Sequence, residues 1–125
     1  MFASNFTVED KYLKHVRGQE NLQTYSQSDT IFAKTVPGGN TMTNYFCKTC
    51  GSLMYRVGAA WPGFSILRIG SVDDFSLHET KLKPTMEQFT KHRVGWLHGA
   101  RELQQAYDDN LHKDWPKVIV KGPEA

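Results

Sequence analysis

Short alternating segments dominate the first two thirds of the chain. In LMYRV, Leu53, Tyr55 and Val57 fall on one side of an extended backbone, and in FSILRIG, residues 64–70, apolar groups occupy both sides. Alternation with a period of two is typical of β-strands. The first pattern predicts a half-buried strand, and the second predicts a central strand that is covered on both faces.

A hairpin is predicted around the turn Pro37-Gly38-Gly39-Asn40. The segments on either side of it, residues 30–36 and 41–46, are rich in β-branched and aromatic residues. Glycine and asparagine tolerate the positive φ that tight hairpin turns require. Weaker strand candidates are FASNFTV, YLKHV and LQTY, at residues 2–8, 12–16 and 22–25.

The pattern changes after about residue 93. Trp96, Leu103 and Tyr107 have spacings that fit one face of a helix, and Pro116 would end it. We therefore predict a C-terminal helical segment, followed by VIV as an edge strand or tail and a disordered KGPEA. The fold class predicted is mainly β, with antiparallel sheets and this helical segment.

Length and charge limit the classes of protein. A chain of 125 residues is most simply one domain, 1–125, with a core at 2–97 and a tail at 98–125. A net charge of +2 gives no argument for nucleic acid or an anionic membrane as partner. The start, MFASNFTVED, lacks the features of a signal peptide, and no apolar run could span a bilayer. We expect a soluble cytoplasmic protein.

Cys47 and Cys50, the two cysteines of the chain, lie two residues apart and are followed by Gly51. Two thiolates at this spacing fit one edge of a tetrahedral zinc site, and two other ligands are then needed. Three interpretations stay open: free thiols in a vestigial knuckle, a metal completed by other groups in the chain or across a two-fold axis, or a disulfide. Among the histidines, His92 in KHR is the best candidate for a functional role.

Three motifs, in order, resemble one known family. FCKTCGSLMY is similar to the knuckle of the glutathione-dependent formaldehyde-activating enzyme and centromere protein V family, and GSVDD to its "G-t-l-D-D" segment. Pro84, Phe89, Arg93 and Trp96 match its "P-x-x-h-i-f-x-x-x-r-x-x-W" ending. The resemblance covers roughly residues 2–97.

The resemblance implies a tent-like arrangement of β-sheets, a β-tent, with a structural and a catalytic zinc site. Only Cys47 and Cys50 carry over, as half of the structural site, because Met1 corresponds to a position just beyond the family's N-terminal cysteine cluster. In a symmetric dimer, the two pairs could supply four thiolates to one shared zinc. Glu87 replaces the histidine that usually precedes the "i-f" pair. Glutathione is a further cofactor that the resemblance implies.

We expect an enzyme that acts on a small organic substrate by metal-independent acid/base chemistry: a lyase, dehydratase or isomerase/cyclase. Its site should be a cavity between the FASNFTV strand, the turn at residues 70–74 and the segment 84–96. The expected polar groups are Asp73, Glu87, His92 and Arg93, and the expected aromatic walls are Tyr55, Trp61, Phe64 and Trp96.

Two alternatives stay open, and the first belongs to another class of protein. The chain could be a non-catalytic zinc-knuckle binding or scaffold module, or a truncated carbon–sulfur lyase of the same family. Asp73 and Asp74 also fit turn caps, and Arg93 also fits a structural pair with Glu87 or Asp73. The partners expected are a small-molecule substrate and a second copy of the chain.

Overall fold

The computed structural model describes residues 2–27, 41–59, 61–98 and 105–107. The chain divides into two compact units, an N-terminal unit, Asn5–Ser71, and a C-terminal unit formed by Val72–Ala125 with Met1–Ser4. The single domain inferred from the length stays a prediction. Within the described ranges, no helix is both long enough and apolar enough to cross a membrane.

The N-terminal unit is built on one antiparallel sheet of five strands. In chain order these are β1 (Asn5–Glu9), β2 (Leu22–Gln27), β3 (Met42–Cys47), β4 (Leu53–Gly58) and β5 (Phe64–Arg68). Their order across the sheet is β1-β5-β4-β3-β2. The first strand therefore pairs with the last, and the other four follow one another as neighbours.

The alternation read from the sequence is confirmed in β4 and β5. β5 lies between β1 and β4, as expected for a strand with apolar residues on both faces. FASNFTV overlaps β1 and LQTY forms the first four residues of β2, whereas residues 12–16 form no strand. The mainly β fold class is confirmed.

The predicted hairpin partner of β3 is wrong. β3 pairs with β2 on one side and β4 on the other, so both of its edges are occupied. The segment expected beside it, residues 30–36, and the turn at residues 37–40 lie outside the described residues. The neighbour of β3 is the polar strand LQTYSQ, which has little apolar signal of its own.

Because side chains alternate along a strand, the register divides the sheet into two faces. Tyr45 lies opposite Tyr55, and Tyr55 lies opposite Leu67. This surface is the tyrosine face, and it also carries Phe6, Val8 and Val57. The opposite surface is the arginine face, which carries Met42, Asn44, Arg56, Phe64, Ile66 and Arg68.

Burial in the described residues is shallow. Ile69, directly after β5, is 4% exposed and is the one buried apolar side chain among the described residues. Ser65 is also buried, and its hydroxyl donates to Asp10 Oδ1 over 2.7 Å, which ties the end of β1 to β5. Most strand side chains are half-buried.

The C-terminal unit holds the short helix α1 (Ser76–Glu79) and a two-stranded parallel sheet of β6 (Met86–Gln88) and β7 (Gln105–Tyr107). The helix predicted to run past Tyr107 is wrong at two described places. Residues 93–98 form no helix, and residues 105–107 are β7. The second sheet is parallel rather than antiparallel, and the expectations for residues 108–125 lie outside the described residues.

Candidate functional site

The two cysteines lie on one tight turn between β3 and β4. The Gly51 N–H donates to the Cys47 carbonyl over 2.7 Å, and the Cys47 N–H donates to the Ser52 carbonyl over 2.9 Å. Gly51 has φ of +75°, a left-handed conformation that glycine adopts without strain. The turn predicted from C-x-x-C-G is therefore present.

Both thiols are free. The backbone N–H of Cys50, and then that of Thr49, hydrogen-bond to Cys47 and lower the pKa of its thiol below its ordinary value. Stabilised thiolate character is what a metal ligand needs.

A second cluster lies on the tyrosine face. The rings of Tyr45 and Tyr55 are stacked, and His15 Nε2 is 3.2 Å from the Tyr55 hydroxyl oxygen. Burial, then the charges of Tyr45 and Asp10, raises the pKa of Tyr55. Tyr55 was predicted as a wall residue, whereas Tyr45 and His15 were not singled out. Only the β3–β4 register brings Tyr45 to Tyr55.

The predicted aromatic walls do not share one surface. Phe64 lies on the arginine face, opposite to that of Tyr55. A Cβ at Gly58 would lie 2.8 Å from Trp61 Cε3 and 3.3 Å from Met42 Cε, so Trp61 covers the arginine face. Within the sheet, Tyr55 therefore cannot line the same one-sided pocket as Trp61 and Phe64.

The arginine face carries two cations that the sequence analysis did not propose as a site. Arg56 lies opposite Asn44 and Ile66, and Arg68 lies opposite Asn5. Arg68 Nη1 donates to Asn5 Oδ1 over 2.8 Å. Burial, and then the charge of Arg68, lowers the pKa of Arg56. No signal in the sequence identifies the pair, because the β4–β5 register brings the two side chains together.

In the C-terminal unit, Glu87 and Arg93 form a bidentate ion pair. Arg93 Nε donates to Glu87 Oε1 over 2.8 Å, and Nη2 donates to Oε2 over 2.6 Å. The side chain of Arg93 is 29% exposed and that of Glu87 is 23% exposed. The hydrogen bonds that Arg93 donates to Glu87 raise the pKa of Arg93. Two predicted site residues are thus in direct contact.

The segment between Glu87 and Arg93 is a tight turn. Phe89 has a φ of +62°. Residues 90–92 form a 3-10 turn, after which the Arg93 N–H donates a hydrogen bond to the Thr90 carbonyl. A left-handed backbone at a bulky residue is strained, and such strain is concentrated at functional sites. His92 is exposed at the end of this turn.

The remaining predicted residues of this unit are solvent-exposed. Asp73 is exposed, and Trp96 is 71% exposed. Asp74 fulfils the capping role considered for both aspartates, since its Oδ1 accepts from the Ser76 hydroxyl over 2.6 Å and from the Ser76 N–H over 2.9 Å. The predicted cavity joins segments of both units and stays a prediction.

Comparison with families of known proteins gives one match. The sequence model of the family described as "Glutathione-dependent formaldehyde-activating enzyme" matches residues 1–92. The chain belongs to this family. Comparison with curated proteins found no match, and comparison with solved structures found none either.

Membership in the formaldehyde-activating enzyme family implies zinc, and the knuckle offers part of a zinc site. Within residues 2–27, 41–59 and 61–98, no group of three or more His, Cys, Asp or Glu side chains comes together. Cys47 and Cys50 therefore fit half of a tetrahedral ligand set, and the described part of one chain does not complete it.

Proposed function

We propose that this member of the formaldehyde-activating enzyme family acts on a small organic substrate by acid/base chemistry of its own side chains. The reaction class is a lyase, a dehydratase or an isomerase/cyclase. These classes share one step, the movement of a proton beside a group that becomes an oxyanion. The observation that carries the proposal is the bidentate pair of Glu87 and Arg93, with His92 next to it in the chain.

Arg93 is the oxyanion-binding group of this proposal. Arginine has five N–H donors in a planar fork, and Glu87 accepts from two of the three nitrogens. The other N–H groups can bind a substrate oxygen as negative charge develops on it, which lowers the barrier by electrostatic stabilisation.

Glu87 is then a positioning residue. A carboxylate that accepts two parallel N–H bonds fixes the plane of the guanidinium, and fixed orientation is what makes an oxyanion donor effective. The strained backbone at Phe89 and the turn that follows it set the direction in which the Arg93 side chain points.

His92 is the proposed general acid or base, because histidine is the side chain that most often serves in that role. Its exposure allows protons to exchange with water. Trp96, in the same unit, is the proposed substrate contact, since its indole is largely exposed. Asp73 is a further candidate for a polar group of the site, and Tyr55, Trp61 and Phe64 are further candidates for contact with the substrate. Tyr55 lies on the tyrosine face, whereas Trp61 and Phe64 lie on the arginine face. Glutathione is proposed as a co-substrate, on the basis of the family.

The test is a screen of small carbonyl compounds, with and without glutathione, for turnover followed by proton NMR. On any compound that is converted, His92→Gln should lower kcat by about a hundredfold or more. Arg93→Lys, which retains the charge and loses the fork, should also lower kcat. His98→Gln is the matched control, because His98 is an exposed histidine of the same unit and should leave kcat unchanged.

Thermal unfolding of each variant separates a chemical effect from misfolding. The proposal requires kcat to fall in variants whose Tm stays near that of the unaltered protein. Full turnover in both His92→Gln and Arg93→Lys would show that the reaction is located elsewhere.

A specific observation favours a second function, a non-catalytic binding module. Phe75, Phe89 and Trp96, all in the C-terminal unit, are 75%, 47% and 71% exposed. Where exposed large apolar side chains form one contiguous patch, they mark a surface that contacts another protein. Under this alternative the screen yields no turnover, and a Trp96→Ser change weakens binding of a protein partner.

A further inference from the structure

Two guanidinium groups lie on neighbouring strands of the arginine face. Arg56 of β4 lies opposite Ile66 of β5, and Arg68 is two residues further along β5. Side chains in this diagonal relation are about 7–8 Å apart at the backbone, within reach of long side chains. Two like charges are therefore held side by side by the register of the sheet.

The described residues do not neutralise this pair. Arg68 donates to the neutral amide oxygen of Asn5, and neither arginine forms an ion pair within the part of the chain that the structure describes. Arg56 Nε is buried and has no hydrogen-bond partner among the residues that the structure describes. A buried, unsatisfied donor on a cation is costly, so such a group is expected to have a partner.

The neighbours of the pair suit an anionic ligand. Asn44 lies opposite Arg56, and Asn5 lies opposite Arg68, so each cation has an amide next to it. Amide NH₂ groups donate hydrogen bonds, and guanidinium forks match the geometry of carboxylate and phosphate. Trp61 and Phe64, on the same face, provide an apolar border for the rest of a small molecule.

We propose that Arg56 and Arg68 together form a binding site for an oxyanion, the carboxylate or phosphate group of a small molecule, on the arginine face of the sheet. The ligand places negative charge between the two cations, which offsets the electrostatic cost of the partly buried Arg56 guanidinium. Burial, and then the charge of Arg68, lowers the pKa of Arg56 in the free protein, and a bound anion opposes this shift because it stabilises the charged guanidinium. This site rests on the N-terminal unit alone and does not depend on Glu87, His92 or Arg93.

The experiment uses the full chain and two probes, inorganic phosphate and succinate, each compared with sodium chloride at equal ionic strength. Calorimetric titration gives the affinity, and the ¹⁵N-resolved Arg Nε–H resonances show which arginines respond. Arg56→Met and Arg68→Met retain the apolar stem and remove the charge. Arg17→Met is the matched control, because Arg17 is an exposed arginine of the same unit.

Saturable binding of either probe is expected, with the Arg56 Nε–H resonance moving along the same curve. Each of Arg56→Met and Arg68→Met should weaken it by about tenfold or more, and Arg17→Met should leave it unchanged. Binding of phosphate alone assigns a phosphate ligand, succinate alone assigns a carboxylate, and both assign a general oxyanion site. All three outcomes support the proposal.

The proposal is overturned if neither probe saturates, or if Arg17→Met weakens binding as much as the other two changes. Should a methionine variant fail to fold, the resonances of the unaltered protein decide. An Arg56 Nε–H signal that stays fixed while phosphate and succinate are added excludes the site.

Discussion

Tyr45 and Tyr55 stack across the β3–β4 pairing, with ring centroids 4.4 Å apart and planes inclined by 11°. They are directly opposite in the register, next to the bulge between Tyr45 and Phe46. His15 holds the Tyr55 hydroxyl from one side. The stack therefore connects three separate segments on the tyrosine face, a surface with few fully buried side chains.

The first prediction concerns the coupling energy of this stack. Tyr45→Leu and Tyr55→Leu should each lower the free energy of unfolding, and the double variant should lose less than the sum. The expected coupling is about 0.5–1.5 kcal/mol, the value for well-oriented aromatic pairs. Urea unfolding of the four proteins measures it. Tyr25→Leu is the control, because Tyr25 is 58% exposed; additive losses at Tyr45 and Tyr55 would contradict the stack.

The second prediction concerns the contact between Gly58 and Trp61. A Cβ at Gly58 would approach the indole to 2.8 Å, so Gly58→Ala should destabilise the sheet by about 1–3 kcal/mol through overpacking. Gly70→Ala is the control, since a Cβ there meets nothing within 4 Å. Adding Trp61→Leu to Gly58→Ala should recover part of the loss. A Gly58→Ala protein as stable as Gly70→Ala would show that Trp61 does not lie there.

The third prediction is a pH dependence at Asp74. Hydrogen bonds from the Ser76 hydroxyl, and then from the Ser76 N–H, lower the pKa of Asp74 below its ordinary value of 3.8. A carboxyl with a lowered pKa in the folded state stabilises the fold above 3.8, and this stabilisation is lost as the pH falls through the lower, folded value. The advantage of the unaltered protein over Asp74→Asn should thus be full at neutral pH and shrink in acid.

NMR titration of the Asp74 carboxyl tests the cause. Ser76→Ala removes the hydroxyl donor, so the pKa of Asp74 in that variant should rise towards 3.8. An unchanged pKa in Ser76→Ala would show that the hydroxyl is not the source of the shift.

The fourth prediction concerns zinc. Because one chain offers two thiolates in its described part, we propose that two copies share one ion through Cys47 and Cys50 of each. Native mass spectrometry on protein prepared without chelators should find one zinc per two chains, and EDTA should return monomers. The double variant that carries Cys47→Ser and Cys50→Ser should neither bind zinc nor form the dimer. One zinc bound tightly in a single chain would contradict the shared site.

How much the sequence predicted depended on whether a signal was local. β4 and β5 carry their own alternation, and the Cys47–Cys50 turn carries its own glycine, so each was predicted correctly. β2 is a polar strand whose place is set by its partner β3, and its own residues predicted it only weakly. Residues 105–107 fitted a helical spacing, but pairing with β6 makes them a strand. Tertiary contacts overrode local propensity in that case.

The candidate site shows the same limit. Glu87 and Arg93 are six residues apart, and their pairing was considered from the sequence because a turn brings them together. Arg56 and Arg68 become a pair only through the β4–β5 register, which a single sequence does not specify. The sequence analysis grouped Tyr55 and Phe64 as aromatic walls of one cavity because it could not predict the register. In the structure, the register places the two residues on opposite faces of the sheet.

The position of β1 beside β5 has a consequence for the order of events during synthesis. Asn5 and Arg68, which are hydrogen-bonded neighbours in the sheet, are separated by 63 positions in the chain. At about 5–20 residues per second, translation needs about 3 to 13 seconds to add those residues. The strand NFTVE is therefore made first and acquires its partner last, and in that interval its unpaired backbone is open to chaperones and to other nascent chains.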